Sequence, residues 1–233
     1  MRNVGVIGIG DMGSGLAANL LKNGFQVTGI DLKPARMQAF VAMGGSAAAT
    51  PAAVGKASQA VFVMVMTGDE AKSVILGPEG LVSHMPRGGA VILSATVKPR
   101  EAREIGEAMA GSGIHLIDTP VSGGYPGAQA GTLTMMAAAP DAVLDRFAPV
   151  MEAVSANIHR QFEGTGSHIN TMHKDLTISM GLGEELGVPL HTAGSAMQIF
   201  HAGRTRYPDG DNWVCTRVIE EIIGAELHRV PKS

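Results

Sequence analysis

The run Val4-Gly5-Val6-Ile7-Gly8-Ile9-Gly10-Asp11-Met12-Gly13 decides how the N-terminal half of the chain folds. Val4 to Gly8 reads as a short buried strand. The GxGxxG that follows leads into an apolar-periodic helix from Leu16 to Lys22. Between a strand and a helix each glycine has a physical task. Gly8 permits a tight turn, Gly10 lets the backbone approach a pyrophosphate, and Gly13 brings helix and strand close together. The free N–H groups and partial positive charge of the helix N-terminus then favour phosphate. The alternative, a plain glycine-rich turn, would not need this position. Gly8, Gly10, Asp11, Met12 and Gly13 are therefore the expected dinucleotide-binding residues.

Working outward, Gln26-Val27-Thr28-Gly29-Ile30 is the next strand, and a helix starts near Pro34, a favoured first-turn residue. Asp31 ends that strand about twenty residues past the glycines, where a carboxylate can bond both ribose hydroxyls and repel a 2′-phosphate. NAD is expected over NADP, although Lys33 and Arg36 are close enough to reach a 2′-phosphate. Ala60 to Met66 is almost wholly apolar, as suits a parallel strand covered on both faces. Ala90 to Leu93, His115 to Asp118 and Leu133 to Ala138 read as further strands, with a charged helix from Pro99 to about Ala110. This alternation predicts an α/β fold with a doubly wound parallel sheet, a Rossmann domain, over residues 1–163. Residues 164–233 change character. Lys174 to Gly187, Leu190 to Ala202 and Trp213 to Leu227 read as helices with no strand between them, a reduced all-helical C-terminal part.

The composition fits a globular protein: 45% hydrophobic and 17% charged over 233 residues. Its 31 glycines suit many strand-to-helix turns, and most of its 14 methionines fall in apolar runs as core filling. A formal net charge of −3 gives no electrostatic reason to expect nucleic acid or an anionic membrane. No apolar run approaches a bilayer span, and the chain enters its first strand without a leader pattern. Cys215 is the single cysteine, so no intrachain disulfide can form and a reducing cytoplasm is the expected compartment. No metal-ligand pattern stands out.

Three longer motifs resemble the β-hydroxyacid dehydrogenase family, which includes 3-hydroxyisobutyrate, tartronate semialdehyde and threonate dehydrogenases. They are Gly10 to Gly24, then Asp118-Thr119-Pro120-Val121-Ser122-Gly123-Gly124 with Gly127-Ala128 and Gly131-Thr132-Leu133, then Lys174-Asp175-Leu176 with Gly187-Val188-Pro189-Leu190. The resemblance implies an NAD-dependent oxidoreductase of small hydroxy acids, a homo-oligomer such as a dimer. It places Met66 and Thr67 beside the adenosine, Thr96 by the nicotinamide ribose, and Lys174 against the cofactor. It makes Ser122, Gly123 and Gly124 the substrate carboxylate loop, a hydroxyl donor beside unobstructed N–H groups; a local turn is the other use for Ser122. Residues Tyr207 to Trp213 resemble the threonate branch.

One departure is chemical. The family's catalytic lysine follows a GxG element, here Gly164-Thr165-Gly166, and falls at position 170, which is Asn170. By the same resemblance, roughly sixty residues of helix are absent between Ser167 and Met172. That leaves His168, His173 and Lys174 as candidate bases and the catalytic residue unassigned. The alternative function is a catalytically silent NAD-binding module acting through association.

Overall fold

The computed structural model describes residues 2–160 and 168–225. The chain divides into two compact units, Met1–Arg160 and Gln161–Ser233. The boundary expected near Gly164 lies outside the described residues.

The first unit carries a parallel sheet in the order β3-β2-β1-β4-β5-β6. These strands are β1 (Asn3–Ile7), β2 (Gln26–Ile30), β3 (Ser46–Ala47), β4 (Ala60–Val63), β5 (Ala90–Leu93) and β6 (His115–Asp118). The order reverses between β1 and β4, the switch point at which open α/β sheets bind ligands. Helices α1 (Asp11–Lys22), α2 (Pro34–Ala42), α3 (Pro51–Ala57), α4 (Gly68–Leu76) and α5 (Pro99–Ala108) alternate with the strands. Side chains on successive strand residues point to opposite faces, and the core divides accordingly. Val4, Val6, Ala60, Phe62, Ala90 and Ile92 join one cluster. Ile7, Val61, Val63, Val91 and Leu93 join the other. With both faces covered, β4 and β5 have no exposed residue, which accounts for their unbroken apolar sequence.

Beyond β6 the chain builds a second sheet, β7-β8-β9, from β7 (Val121–Ser122), β8 (Leu133–Met136) and β9 (Ser155–His159). Strand β7 runs antiparallel to β8, and β9 runs parallel to it. The stretch expected as a strand at Leu133 to Ala138 is therefore outside the main sheet and ends at Met136. Between these strands lie α6 (Gly124–Ala130) and α7 (Asp141–Glu152). Strand β4 is also shorter than read, stopping at Val63, because the chain turns at Met64 towards the N-cap of α4.

The second unit contains α8 (Ile169–Glu185), α9 (His191–Arg206) and α10 (Val214–Ile223). Helix α8 begins five residues before Lys174 because His168 caps it, accepting from the Asn170 N–H at 3.2 Å. The turn before α10 straps the same end: Ile169 N donates to Gly210 O at 3.0 Å and Asn170 Nδ2 to Pro208 O at 2.8 Å. Among the described residues no helix is long and apolar enough to cross a membrane.

Candidate functional site

The strand registers place the expected cofactor residues of the first unit beyond the C-terminal ends of the main-sheet strands. Ile7 pairs with Ile30 and with Val63, and Leu93 pairs with Asp118, so these strands end level with one another. Gly8 and Asp31 follow those ends directly, and Met66, Thr67 and Thr96 come three or four residues beyond them.

The glycines of the loop are there for different reasons. Gly8 has φ +89°, and a Cβ there would lie 2.2 Å from the Met64 carbonyl oxygen. A Cβ on Gly13 would lie 1.8 Å from the Gly8 carbonyl oxygen. Both are demanded by the turn and by helix–strand contact. Gly10 is the N-cap of α1 at φ −74° and ψ −162°, a conformation open to any residue. A Cβ there would meet only the Arg36 guanidinium, at 3.5 Å, which is ordinary contact. The fold does not need glycine at position 10, but a ligand approaching the backbone does. No side chain caps α1, so its first N–H groups are left for such a ligand. Asp11 is exposed and Met12 half-buried in the first turn.

Asp31 is held firmly. Its Oδ2 accepts from Ile9 N at 2.9 Å and its Oδ1 from Lys33 N at 2.8 Å, with a side chain only 7% exposed. Arg36 Nη1 sits 3.2 Å from Oδ2. The carboxylate therefore ties the phosphate loop to the end of β2 and positions a guanidinium beside Gly10.

Met66 is 86% exposed at the tip beyond β4. Thr67 is the N-cap of α4: its hydroxyl accepts from Glu70 N at 3.1 Å, while the Glu70 carboxylate accepts from Met66 N at 2.9 Å. Thr96 is exposed past the end of β5. Helices α4 and α5, which follow these residues, are joined through Glu104, bonded to Lys72 and at 2.7 Å to Arg100. These two cations hold the Glu104 carboxyl down at about 2.

Ser122 pairs with Thr134 in β7 and is exposed, with the N-terminus of α6 directly after it. Gly123 (φ +128°) and Gly124 (φ +57°) both occupy the left-handed region, where a side chain would be strained. Gly123 caps α6 without a side-chain hydrogen bond, which leaves first-turn N–H groups beside the Ser122 hydroxyl. A hydroxyl donor adjoining free N–H groups is the chemistry that a carboxylate receptor requires.

Lys174 lies in α8, its ammonium 3.0 Å from the Asp175 carboxylate and its side chain 64% exposed. His173 is buried. Its Nε2 lies 2.6 Å from His201 Nδ1 and its Nδ1 lies 3.4 Å from Arg204 Nη1. Arginine only donates, so His173 Nδ1 is an acceptor and the Nε2 proton is shared with His201. Burial first, then the charges of Arg204 and His201, push the His173 imidazole below its ordinary pKa. Neither this histidine pair nor the Asn19 and Gln129 contacts between α1 and α6 stood out in the sequence. Among the described residues no cluster of three His, Cys, Asp or Glu side chains is placed to hold a metal.

Residues 3–163 match the family model described as the NAD binding domain of 6-phosphogluconate dehydrogenase. The L-threonate dehydrogenase of Cupriavidus necator is 34% identical over 200 residues, covering 85% of this chain and 64% of that enzyme. An NAD-dependent L-serine dehydrogenase of Pseudomonas aeruginosa is 31% identical over 214 residues, covering 91% of this chain and 72% of that enzyme. The chain thus spans between 64% and 72% of the length of these two relatives. In fold, a crystal structure of 3-hydroxyisobutyrate dehydrogenase from Salmonella typhimurium aligns with a TM-score of 0.66 at 22% identity, over 94% of this chain and 100% of that one. With its glycine loop, its strand order and these relatives, the chain belongs to the β-hydroxyacid dehydrogenase family.

Proposed function

We propose that this chain binds NAD and descends from oxidoreductases of small hydroxy acids. The observation that carries the reading is Gly10, whose lack of a side chain serves no need of the fold and leaves an uncapped helix N-terminus open. A pyrophosphate would be held by the N–H groups from Gly10 to Gly13, and the ribose by Asp31. A bound NAD would supply the hydride acceptor for oxidation at the carbon bearing the substrate hydroxyl, whose proton would have to leave to a base or to water. Ser122, Gly123 and Gly124 would hold the substrate carboxylate, Met66 and Thr67 would border the adenosine, and Thr96 would lie by the nicotinamide ribose.

NAD is the preferred dinucleotide because Asp31 places a carboxylate at the ribose. Arg36 tempers that preference: it neutralises much of the Asp31 charge and is itself a phosphate fork. The discrimination should therefore be modest. Titration of the chain with NADH and NADPH tests this, and tighter binding of NADPH would refute the assignment of Asp31.

A second reading, a catalytically silent NAD-binding module, is supported by position 170. Asn170 stands where the family's base is expected, and its side chain is bonded to Pro208 O. Of the other candidates, His173 has both ring nitrogens engaged, His168 caps α8, and Lys174 is an exposed cation paired with Asp175. Each of the three is engaged by a neighbouring group, and a positioned base contributes about 10²–10⁴-fold to proton removal. The reading proposed is thus a cofactor-binding dehydrogenase of low turnover. A reducing cytoplasm and a homo-oligomer belong with it. Ile178 and Leu182 of α8 and Leu186 at its C-cap, spaced by four, are 61%, 54% and 67% exposed, as a surface covered by a second copy would be.

A further inference from the structure

We propose that Asn19 and Gln129 are positioning residues that lock the substrate loop to the phosphate-loop helix. This rests on the reading of Ser122, Gly123 and Gly124 as the carboxylate receptor. Helix α6, which opens from that receptor, is only seven residues long and contains two glycines and a proline. A helix so short and so composed is unstable by itself, so its direction must come from what it packs against. That partner is α1, the helix opening from the phosphate loop.

The contact is backbone to backbone. A Cβ on Gly15 would lie 2.5 Å from the carbonyl carbon of Ala128, so the helices approach as closely as glycine permits. Asn19, only 6% exposed, crosses the seam. Its Nδ2 donates to Gly15 O at 2.9 Å, to Ala128 O at 2.9 Å and to Gln129 O at 3.1 Å. Two hydrogens shared among three carbonyls leave no slack for the helices to slide. A Cβ on Gly131, the left-handed C-cap of α6, would lie 2.7 Å from Asn19 Oδ1, so that end is fitted to the asparagine as well. From the other side Gln129 Nε2 reaches the first turn of α1, bonding Asp11 O at 3.2 Å and Ser14 Oγ at 3.3 Å.

The first turn of α1 would face the pyrophosphate, and the first turn of α6 the substrate carboxylate. Since α6 is about 10 Å long, a shift at the seam moves the receptor by a comparable amount. These side chains contact neither ligand in this reading; they set the distance between the two sites. The prediction is therefore selective: loosening the seam should spare cofactor binding and weaken binding of the hydroxy acid.

Gln129→Met removes the donor at an exposed position without adding charge, and Asn19→Ala removes the buried clasp. Each purified chain is titrated with NADH, then the NADH-saturated form with L-threonate and with L-serine. NADH and a hydroxy acid are both reduced, so no turnover disturbs the equilibrium. NADH affinity should stay within about twofold of the parent chain, as for sites without a shared partner. Affinity for the tighter of the two acids should fall about tenfold to a hundredfold, the scale on which ångström misplacement acts. Equal loss of both affinities would mark the seam as merely structural and overturn the proposal. So would unchanged acid affinity in a folded Gln129→Met chain, whatever happens to Asn19→Ala. Failure of the parent chain to bind NADH would instead overturn the cofactor reading, and this proposal with it.

Discussion

Replacing Gly10 with alanine separates what the ligand requires from what the fold requires. The new Cβ has an allowed backbone, φ −74° and ψ −162°, and meets only the Arg36 guanidinium at 3.5 Å. Folding should change by no more than about 0.5 kcal/mol, the range for a substitution without a clash. Alanine also narrows the unfolded ensemble, which offsets part of any loss. The methyl group would nevertheless stand over the N–H groups offered to the pyrophosphate. Each charge-assisted hydrogen bond contributes about 1.5–3 kcal/mol, so losing one should weaken NADH by about tenfold to a hundredfold. Gly8→Ala and Gly13→Ala supply the contrast. Their Cβ atoms would lie 2.2 Å and 1.8 Å from carbonyl oxygens, and Gly8 adds φ +89°. Overpacking of this kind costs about 1–3 kcal/mol, and the left-handed conformation about 1–2 kcal/mol more. Urea unfolding and NADH fluorescence titration on the three variants provide both readouts. An unchanged NADH affinity in a Gly10→Ala chain of parental stability would refute the argument, because the loop would then be only a turn.

Arg36→Ala should weaken NADPH more than NADH, by about tenfold or more for the lost fork, whereas equal effects on both would remove Arg36 from the site. The His173–His201–Arg204 cluster should make the helical unit acid-sensitive. His173 lies below its ordinary value of 6.5 when folded, so the unfolded chain binds the extra proton. This contribution is fully present above about pH 6.5 and is lost as the pH falls towards the folded value; hydrogen exchange in α8 and α9 that does not quicken over that window, relative to His173→Leu, would contradict it. Turnover of hydroxy acids should be slower by about 10²–10⁴-fold than in relatives carrying the lysine, and on the proposed reading Asn170→Lys should restore little, because a lone lysine lacks the surrounding shell that would position it. A rate of about 1–10³ s⁻¹ from the parent chain would overturn the low-turnover reading, and single substitutions of His168, His173 and Lys174 would then locate the base.

The parts of the fold legible from sequence were those whose burial is set by the main sheet. β4 and β5 are wholly buried, so their residues had to be apolar, and the run of apolar residues was sufficient evidence for them. β3 carries no such signal: Ser46 and Ala47 are both exposed at the sheet edge. β9 reads Ser-Ala-Asn-Ile-His, with Ala156 and Asn157 exposed. Its pairing comes from β8 rather than from its own pattern. The sequence of α6, Gly-Tyr-Pro-Gly-Ala-Gln-Ala, argues against a helix on propensity; contact with α1 overrides it. The start of α8 is not legible in its own sequence for a related reason, since the bonds from Ile169 and Asn170 to Gly210 and Pro208 span some forty residues of chain.

The candidate site divides along the same line between local and distant causes. Gly8, Gly13 and Asp31 are readable from spacing because strand, turn and helix follow one another directly, and the turn dictates its own residue types. What the spacing could not disclose is that Asp31 has a second occupation. It receives the Ile9 and Lys33 N–H groups and holds Arg36 over the loop, so in the proposed cofactor site one carboxylate would both shape the loop and moderate its charge. Asn19 lies 109 residues from Ala128, and Gln129 lies 118 from Asp11. Within α1, Asn19 reads as an ordinary polar helix residue, and only the arrival of α6 leaves it buried with three carbonyls to satisfy. A buried asparagine that found no such partners would destabilise the chain. Its tolerance at this position is therefore evidence that the two loops it connects, through α1 and α6, are built as one piece.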